Sequence, residues 1–253
     1  MARRLLDQNP RREQRRQVLI MQRIERPFEL RIRREIARAM LEMAERFALT
    51  GETMPPRDHV ENLSAIYQAM AIATVMAFGI RILDQGKASG QALETKGFAE
   101  TMTRLALGYI NSEMMRQRIT NVADTTRAQI IGAVARGFDD GLGQVGVAGY
   151  IRDLIPGMSG YRAGMIARTE VHGAANYGSV SAAAETGLRL RKEWISAEDE
   201  RTRESHALAN GQIVAQDEAF DVGGEALMYP GDPGGSAAEV INCRCTTGFI
   251  VDD

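Results

Sequence analysis

Up to about residue 187 the apolar residues of this chain return every three or four positions; beyond it they alternate. The first rhythm puts apolar side chains along one stripe of a helix, and the second puts them on one face of a strand. A chain of 253 residues that changes rhythm once, late, has room for several packed helices followed by a small antiparallel sheet. That order predicts the α+β class, with helices and sheet segregated. A content of 44% hydrophobic and 25% charged residues is enough to bury an ordinary core.

The clearest stripe runs Met21, Ile24, Phe28, Ile32, Ile36, Met40, Met43, Phe47. It predicts an amphipathic helix, kinked or restarted at Pro27 and ended by Gly51 and the Pro55-Pro56 pair. Such a methionine-rich face could wait for a partner subunit. Asp58, with Glu61 three residues on, has the capping-box pattern and opens an apolar helix to about Ile82. "DQGKASGQ" reads as a turn, and roughly Phe98 to Arg118 as a helix. Asp124 or Thr125 is placed to cap a short helix, and Leu142 to Leu154 reads as a small helix stopped by Pro156-Gly157. Ser159 can cap the next helix, which ends at Gly187. That helix is crowded with Ala, Gly and Ser, as close approach between helices requires. Afterwards "LRLRKEWISA" alternates, "GQIVAQDEAFDVGGEAL" has hairpin-like turns and "EVINCRCTTGFIV" is β-rich.

The formal net charge is only -2, but residues 1–40 hold twelve arginines against five acidic residues, a local +7 that leaves -9 for the rest. A basic arm on an acidic body suits either a solvated helical face or contact with nucleic acid or an acidic partner, and Arg11, Arg12, Arg15 and Arg16 are its densest cluster. The N-terminus has no apolar secretory core. Nineteen uncharged residues separate Glu61 from Arg81, but Asn62, Ser64, Gln68 and Thr74 interrupt them, so a buried bundle helix is expected rather than a membrane span. Two cysteines, Cys243 and Cys245, are too few for a disulfide framework, and a reducing cytosol is their natural compartment.

In the C-terminal half an ordered series stands out: "IARTEVHGAANYG", Trp194, "DERTRESHALANGQIV", Phe220, "PGDP" and "INCRC". With "ITNVADTTRAQIIGAVARGFDDG" upstream, the series resembles the phage Mu protein F-like family of minor head, or head-morphogenesis, proteins, over about residues 120 to 248. The resemblance implies a virion protein made in the host cytoplasm and placed inside the capsid near the portal. It would act in procapsid assembly, DNA packaging or ejection, in a few copies per particle. The partners implied are the portal protein, the major capsid or scaffolding protein, and packaged double-stranded DNA reached by the arm. On this reading residues 1–118 form a helical docking region and residues 119–253 the head-morphogenesis domain. The resemblance also marks Arg168, Thr169, Glu170, Trp194, Asp199, Arg201, Arg203, His206, Gly211, Pro230, Asp232, Pro233, Asn242, Cys243, Arg244 and Cys245.

Two chemistries suit these residues. In a structural one, Arg168 and Glu170 on the helix meet Asp199, Arg201, Arg203 and Arg244 in an ion-pair network, because the planar arginine fork matches carboxylates. Trp194 is then core and Gly211 a turn after the segment carrying His206. In a metal one, Cys243, Cys245 and His206 bind zinc, with Asp199, Asp232 or His172 as the fourth ligand. A catalytic alternative remains: Arg168 with Glu198-x-Glu200 has the pattern of an ADP-ribosyltransferase, and His206 and Asn210 beside Asp199 could serve a metal nuclease. Against the first, any acidic stretch supplies Glu-x-Glu; against the second, repeated histidines are lacking. His59 is expected at a helix start without chemistry, and a non-enzymatic protein is the reading favoured.

Overall fold

The computed structural model describes residues 3–5, 9–88, 90 and 96–251. Their order is β1 (Arg3–Arg4), α1 (Pro10–Thr50), α2 (His59–Ala88), α3 (Phe98–Ile110), α4 (Glu113–Asp139), α5 (Gln144–Glu185), β2 (Leu190–Ile195), α6 (Glu204–Leu208), β3 (Ile213–Ala215), β4 (Phe220–Val222), β5 (Glu225–Leu227), α7 (Ala237–Val240) and β6 (Thr246–Val251). The protein is α+β, mainly helical, with a small antiparallel β module near the C-terminus. Contacts divide it into two compact units that interleave in sequence. One holds Met1–Glu25, Gln68–Asn111 and Arg168–Asp253; the other holds Arg26–Tyr67 and Ser112–Ala167.

The first unit carries the strands. A four-stranded antiparallel sheet has the order β1-β6-β2-β3, and β4 and β5 form a separate hairpin. Its central pair runs from Leu190 opposite Val251 to Ile195 opposite Thr246. The edge comes from the other end of the chain: Arg3 lies opposite Val251, and Leu5 donates its N–H to the Phe249 carbonyl at 3.0 Å. Trp194, Ala209, Phe220, Val222, Leu227, Cys243 and Cys245 pack into one apolar cluster, with the Trp194 and Phe220 rings edge-on at 5.4 Å.

Small residues let α5 approach its neighbours in this unit closely. A Cβ on Gly178 would lie 2.9 Å from the Val75 Cα and carbonyl oxygen, and one on Gly173 only 2.7 Å from the Gly231 carbonyl. At the same level Tyr109 stacks on Tyr177 at 4.7 Å, and Tyr177 meets Tyr229 edge-on at 5.8 Å. The buried Glu13 carboxylate of α1 pairs with Arg81 of α2.

The second unit is helical. Phe28, Ile32, Ile36, Met40, Met43 and Phe47 are all buried, so the stripe expected to seek a partner subunit is already covered by the protein's own core. Phe47 meets Phe138 edge-on at 6.0 Å, and Gln144 closes the end of α1 by donating to the Phe47 carbonyl at 2.7 Å. Glu35 accepts from Arg38 at 2.7 Å and faces the buried His59 Nδ1 at 2.7 Å. Arg38 also reaches Glu42 at 2.6 Å and Asp58 at 3.0 Å, and the hydrogen bond from its guanidinium holds the Asp58 carboxyl below its usual range. Arg162 enters the interior and donates to Thr126 Oγ1 at 2.9 Å and the Val122 carbonyl at 3.0 Å.

Several helix limits differ from expectation. Pro27 does not restart α1, and Pro156 does not stop a helix at Leu154: both lie inside continuous helices. Each proline is exposed, as are Arg23 and Arg152 one turn earlier, so the carbonyls deprived of an N–H face water. With no stop at Pro156, Ser159 caps nothing and is buried within α5. Asp124 and Thr125 lie inside α4, whose cap is Ser112, accepting from the Met115 N–H at 3.3 Å. That cap divides the stretch Phe98 to Arg118 between α3 and α4. The turn expected from Asp84 begins only after α2 ends at Ala88; Ser89 and Gln91 lie outside the described residues. α2 is the helix long and apolar enough to cross a membrane, and half of its most apolar window is buried inside the protein. Leu63, Tyr67, Met70, Val75, Phe78 and Ile82 supply that buried side, which is how a core helix behaves.

Candidate functional site

The segment from Asn242 to Cys245 joins α7 to β6 and lies outside any strand, so its backbone groups need other partners. Side chains from two helices supply them. Asn242 adopts φ 56, a left-handed conformation that asparagine tolerates better than most residues. Its N–H donates to Thr169 Oγ1 at 3.1 Å, and its Oδ1 accepts from Arg168 Nη1 at 3.1 Å. Two turns along α5, the fully buried Asn176 donates to the Cys245 carbonyl at 3.3 Å and accepts from the Thr247 N–H at 3.0 Å. From α1, Gln14 donates to the Arg244 carbonyl at 2.9 Å and Gln17 to the Thr247 carbonyl at 3.4 Å. The Arg-Thr helix and the Asn-Cys-Arg-Cys run are thus two sides of one latch.

Inside that latch His206 of α6 meets both cysteines. Its Nδ1 lies 3.2 Å from the Cys245 sulfur and 3.7 Å from that of Cys243, and all three residues are 1–2% exposed. His206 Nε2 lies 2.9 Å from Glu239 Oε2 on α7, and Ser205 donates to that same oxygen at 2.8 Å. The Trp194 ring stands edge-on to the imidazole at 5.4 Å. Cys243 donates toward Cys245, which together with His206 outweighs burial and draws the Cys245 thiol down to about 5. Burial and the neighbouring Cys245 charge push Cys243 up. Burial alone would lower His206, but Cys245 and Glu239 outweigh it and raise its pKa. Another buried histidine, His172, is brought down to about 4 by burial and hydrogen-bonds at its ring to Asn176 at 3.2 Å.

The remaining expected residues are spread through separate contacts rather than one network. Arg244 makes a two-armed pair with Asp199, with Nη2 to Oδ1 at 2.7 Å. Arg203 donates to the Ile241 carbonyl. Arg168 faces Glu25 at 3.4 Å as well as Asn242. Arg201 is exposed, its backbone N–H donating to Asp199. Glu170 is buried on α5 and Trp194 lies in the core. Gly211 takes φ 78 in the turn after α6. None of the proposed fourth ligands joins the His206 cluster: Asp199 is held by Arg244, His172 by Asn176, and Asp232 accepts from the N–H groups of Met228 and Gly234 at 2.8 and 2.9 Å. On the basic arm, Arg11 pairs with Glu198, Arg12 donates its N–H to Asn9 Oδ1 at 3.2 Å, and Arg15 and Arg16 are exposed on α1.

Asn176, Gln14, Gln17, Glu239 and Lys192 were not singled out from the sequence. Polar residues on a helix usually face water, and nothing local distinguishes the one aimed at a strand. Lys192 is buried, donating from Nζ to the Met228 carbonyl at 2.8 Å with its ammonium 5.3 Å from the centre of the Phe220 ring. Burial brings its pKa down to about 8.

Residues 128–248, which carry most of this latch, match the family described as Phage Mu protein F like protein. Two curated proteins also resemble parts of the chain. One, named NAD(+)--arginine ADP-ribosyltransferase EFV, from Enterococcus faecalis, is 39% identical over 70 residues, which are 28% of this chain and 14% of that protein. The other, named Uncharacterized protein YqbB, from Bacillus subtilis, is 32% identical over 95 residues, 36% of this chain and 31% of that protein. The matched stretches therefore span less than a third of either relative. No solved structure matches the chain.

Proposed function

We propose that this protein is a non-enzymatic minor head protein of a tailed phage or prophage, built into the virion near the portal during head morphogenesis. The observation that carries the reading is the Mu protein F-like match over residues 128–248, which spans both halves of the latch between Arg168 and Thr247. Residues 119–253 are the head-morphogenesis region, and residues 1–118 supply helices for docking. The exposed Arg15 and Arg16 on α1, with Arg12 beside them, offer positive charge to an acidic portal surface or to packaged double-stranded DNA. Arg11 pairs with Glu198.

Attachment is favoured over turnover because two residues that a catalytic reading needs, Arg168 and Glu198, are held in structural contacts. Arg168 is engaged by Glu25 and Asn242, and Glu198 by Arg11 and Asn210. The activity in the Enterococcus faecalis protein's name belongs to a chain of which the matched stretch is 14%.

The test is a stop codon in this gene within its own phage or prophage. Wild-type particles should contain the chain in a few copies, and it should be captured with the portal protein from procapsids. Particles made without it should be defective in assembly or DNA content. Full-yield, infectious particles lacking the chain would overturn the reading. So would turnover of labelled NAD or cleavage of DNA by the purified protein that disappears in Glu200→Ala or His206→Ala.

A further inference from the structure

We propose that Cys243, Cys245 and His206 form a zinc site that ties α6 to the start of β6. This goes beyond the head-protein reading, and its failure would leave that reading intact.

The geometry is the first argument. Zinc bonds of about 2.3 Å to sulfur and about 2.0 Å to nitrogen, at tetrahedral angles, place sulfur and nitrogen ligands about 3.5 Å apart. The two nitrogen–sulfur distances here, 3.2 and 3.7 Å, bracket that separation, and all three donor atoms lie within 4.8 Å of one another. Thiolate and imidazole donors together select a soft or borderline ion, which among the common divalent metals means zinc rather than magnesium or calcium.

The surroundings are the second argument. A metal-binding histidine ordinarily gives its other ring nitrogen to a carboxylate, which fixes tautomer and ring orientation. Nε2 of His206 lies 2.9 Å from Glu239, leaving Nδ1 toward the sulfurs, and Ser205 orients the carboxylate. Burial to 1–2% exposure argues for a structural ion rather than a reactive thiol.

The binding step balances simply. Zinc takes the place of the thiol protons, so up to two protons leave, and three bonds form from protein atoms. Water completes a four-coordinate shell, since the described residues offer three donors in this cluster.

The full chain, purified without chelator, should carry about one zinc per protein by elemental mass spectrometry. After metal removal, added cobalt(II) should give thiolate-to-cobalt charge-transfer absorption that zinc bleaches. Cys243→Ser with Cys245→Ser should abolish both signals. Glu239→Gln leaves all three ligands in place and should weaken zinc affinity roughly 10- to 100-fold, which keeps the proposal testable if the cysteine variant does not fold. A wild-type protein that binds neither ion stoichiometrically would overturn it, as would a native mass showing Cys243 and Cys245 joined in a disulfide, or Glu239→Gln with unchanged affinity.

Discussion

The Cys-x-Cys latch and the interior around Arg162 both bury polar groups, but they are built on opposite terms. In the latch, Asn176 serves backbone groups at the entry to β6: the Cys245 carbonyl, just before the strand, and the Thr247 N–H, near its start. Around Arg162 the partners are already satisfied. The Val122 carbonyl lies inside α4, and Thr126 donates its hydroxyl to that same carbonyl at 2.8 Å. A buried hydrogen bond matters chiefly through what is stranded when it goes. The two regions should therefore respond very differently to losing a polar side chain.

The largest effect should come from Asn176→Leu. It strands a buried N–H and a buried carbonyl, each worth about 1–3 kcal/mol, so urea unfolding should show a loss of about 4 kcal/mol. A loss under about 1 kcal/mol would remove the distinction drawn here.

Lys192 should give a smaller and pH-dependent effect. Its folded pKa, about 8, lies below its ordinary 10.5, so the unfolded chain binds more protons between those values. Its contribution should therefore rise as pH increases from about 8 to about 10.5 and stay flat below. The cause is burial, offset in part by Asp232, Asp217 and Glu218. The difference in unfolding free energy between wild type and Lys192→Met should follow that curve; a constant difference would refute it.

The smallest effect should be Arg162→Met. It removes a buried charge, whose pKa burial lowers, without stranding a partner. Replacement of a buried charge by an apolar side chain of similar volume is often nearly neutral, so the change should stay within about 1 kcal/mol by the same measurement. A cost equal to that of Asn176→Leu would show that both regions depend on polar contacts alike.

Legibility in the sequence follows the same division. The stripe from Met21 to Phe47 could be read because a helix repeats its burial at fixed spacing, and the structure buries every member named except Ile24, which is half-buried. The strands β2 and β6 were expected from alternation, but both are buried on nearly every residue. The prolines misled because their cost depends on which way the freed carbonyl faces, a property of the packed protein. Cys243, Cys245 and His206 drew attention by residue type, but Glu239 and Asn176 did not, since an acid and an amide on helices look solvated until their neighbours are known. The expected boundary at residue 118 followed motifs, whereas compactness joins Met1–Glu25 and Gln68–Asn111 with Arg168–Asp253.

The sequence by itself determined the class: helices, then a small antiparallel sheet, with a series of motifs across the join that resembles the Mu protein F-like family. Those properties are local or periodic, and each is carried by residues near one another in the chain. Only the tertiary structure decided that the first strand pairs with the last, that Gln14 and Gln17 hold the backbone of residues 244 and 247, and that His206 stands 3.2 Å from a cysteine 39 positions away. Side-chain identity states what bonds a residue can make. Which distant backbone lies within reach is fixed only when the cores have packed.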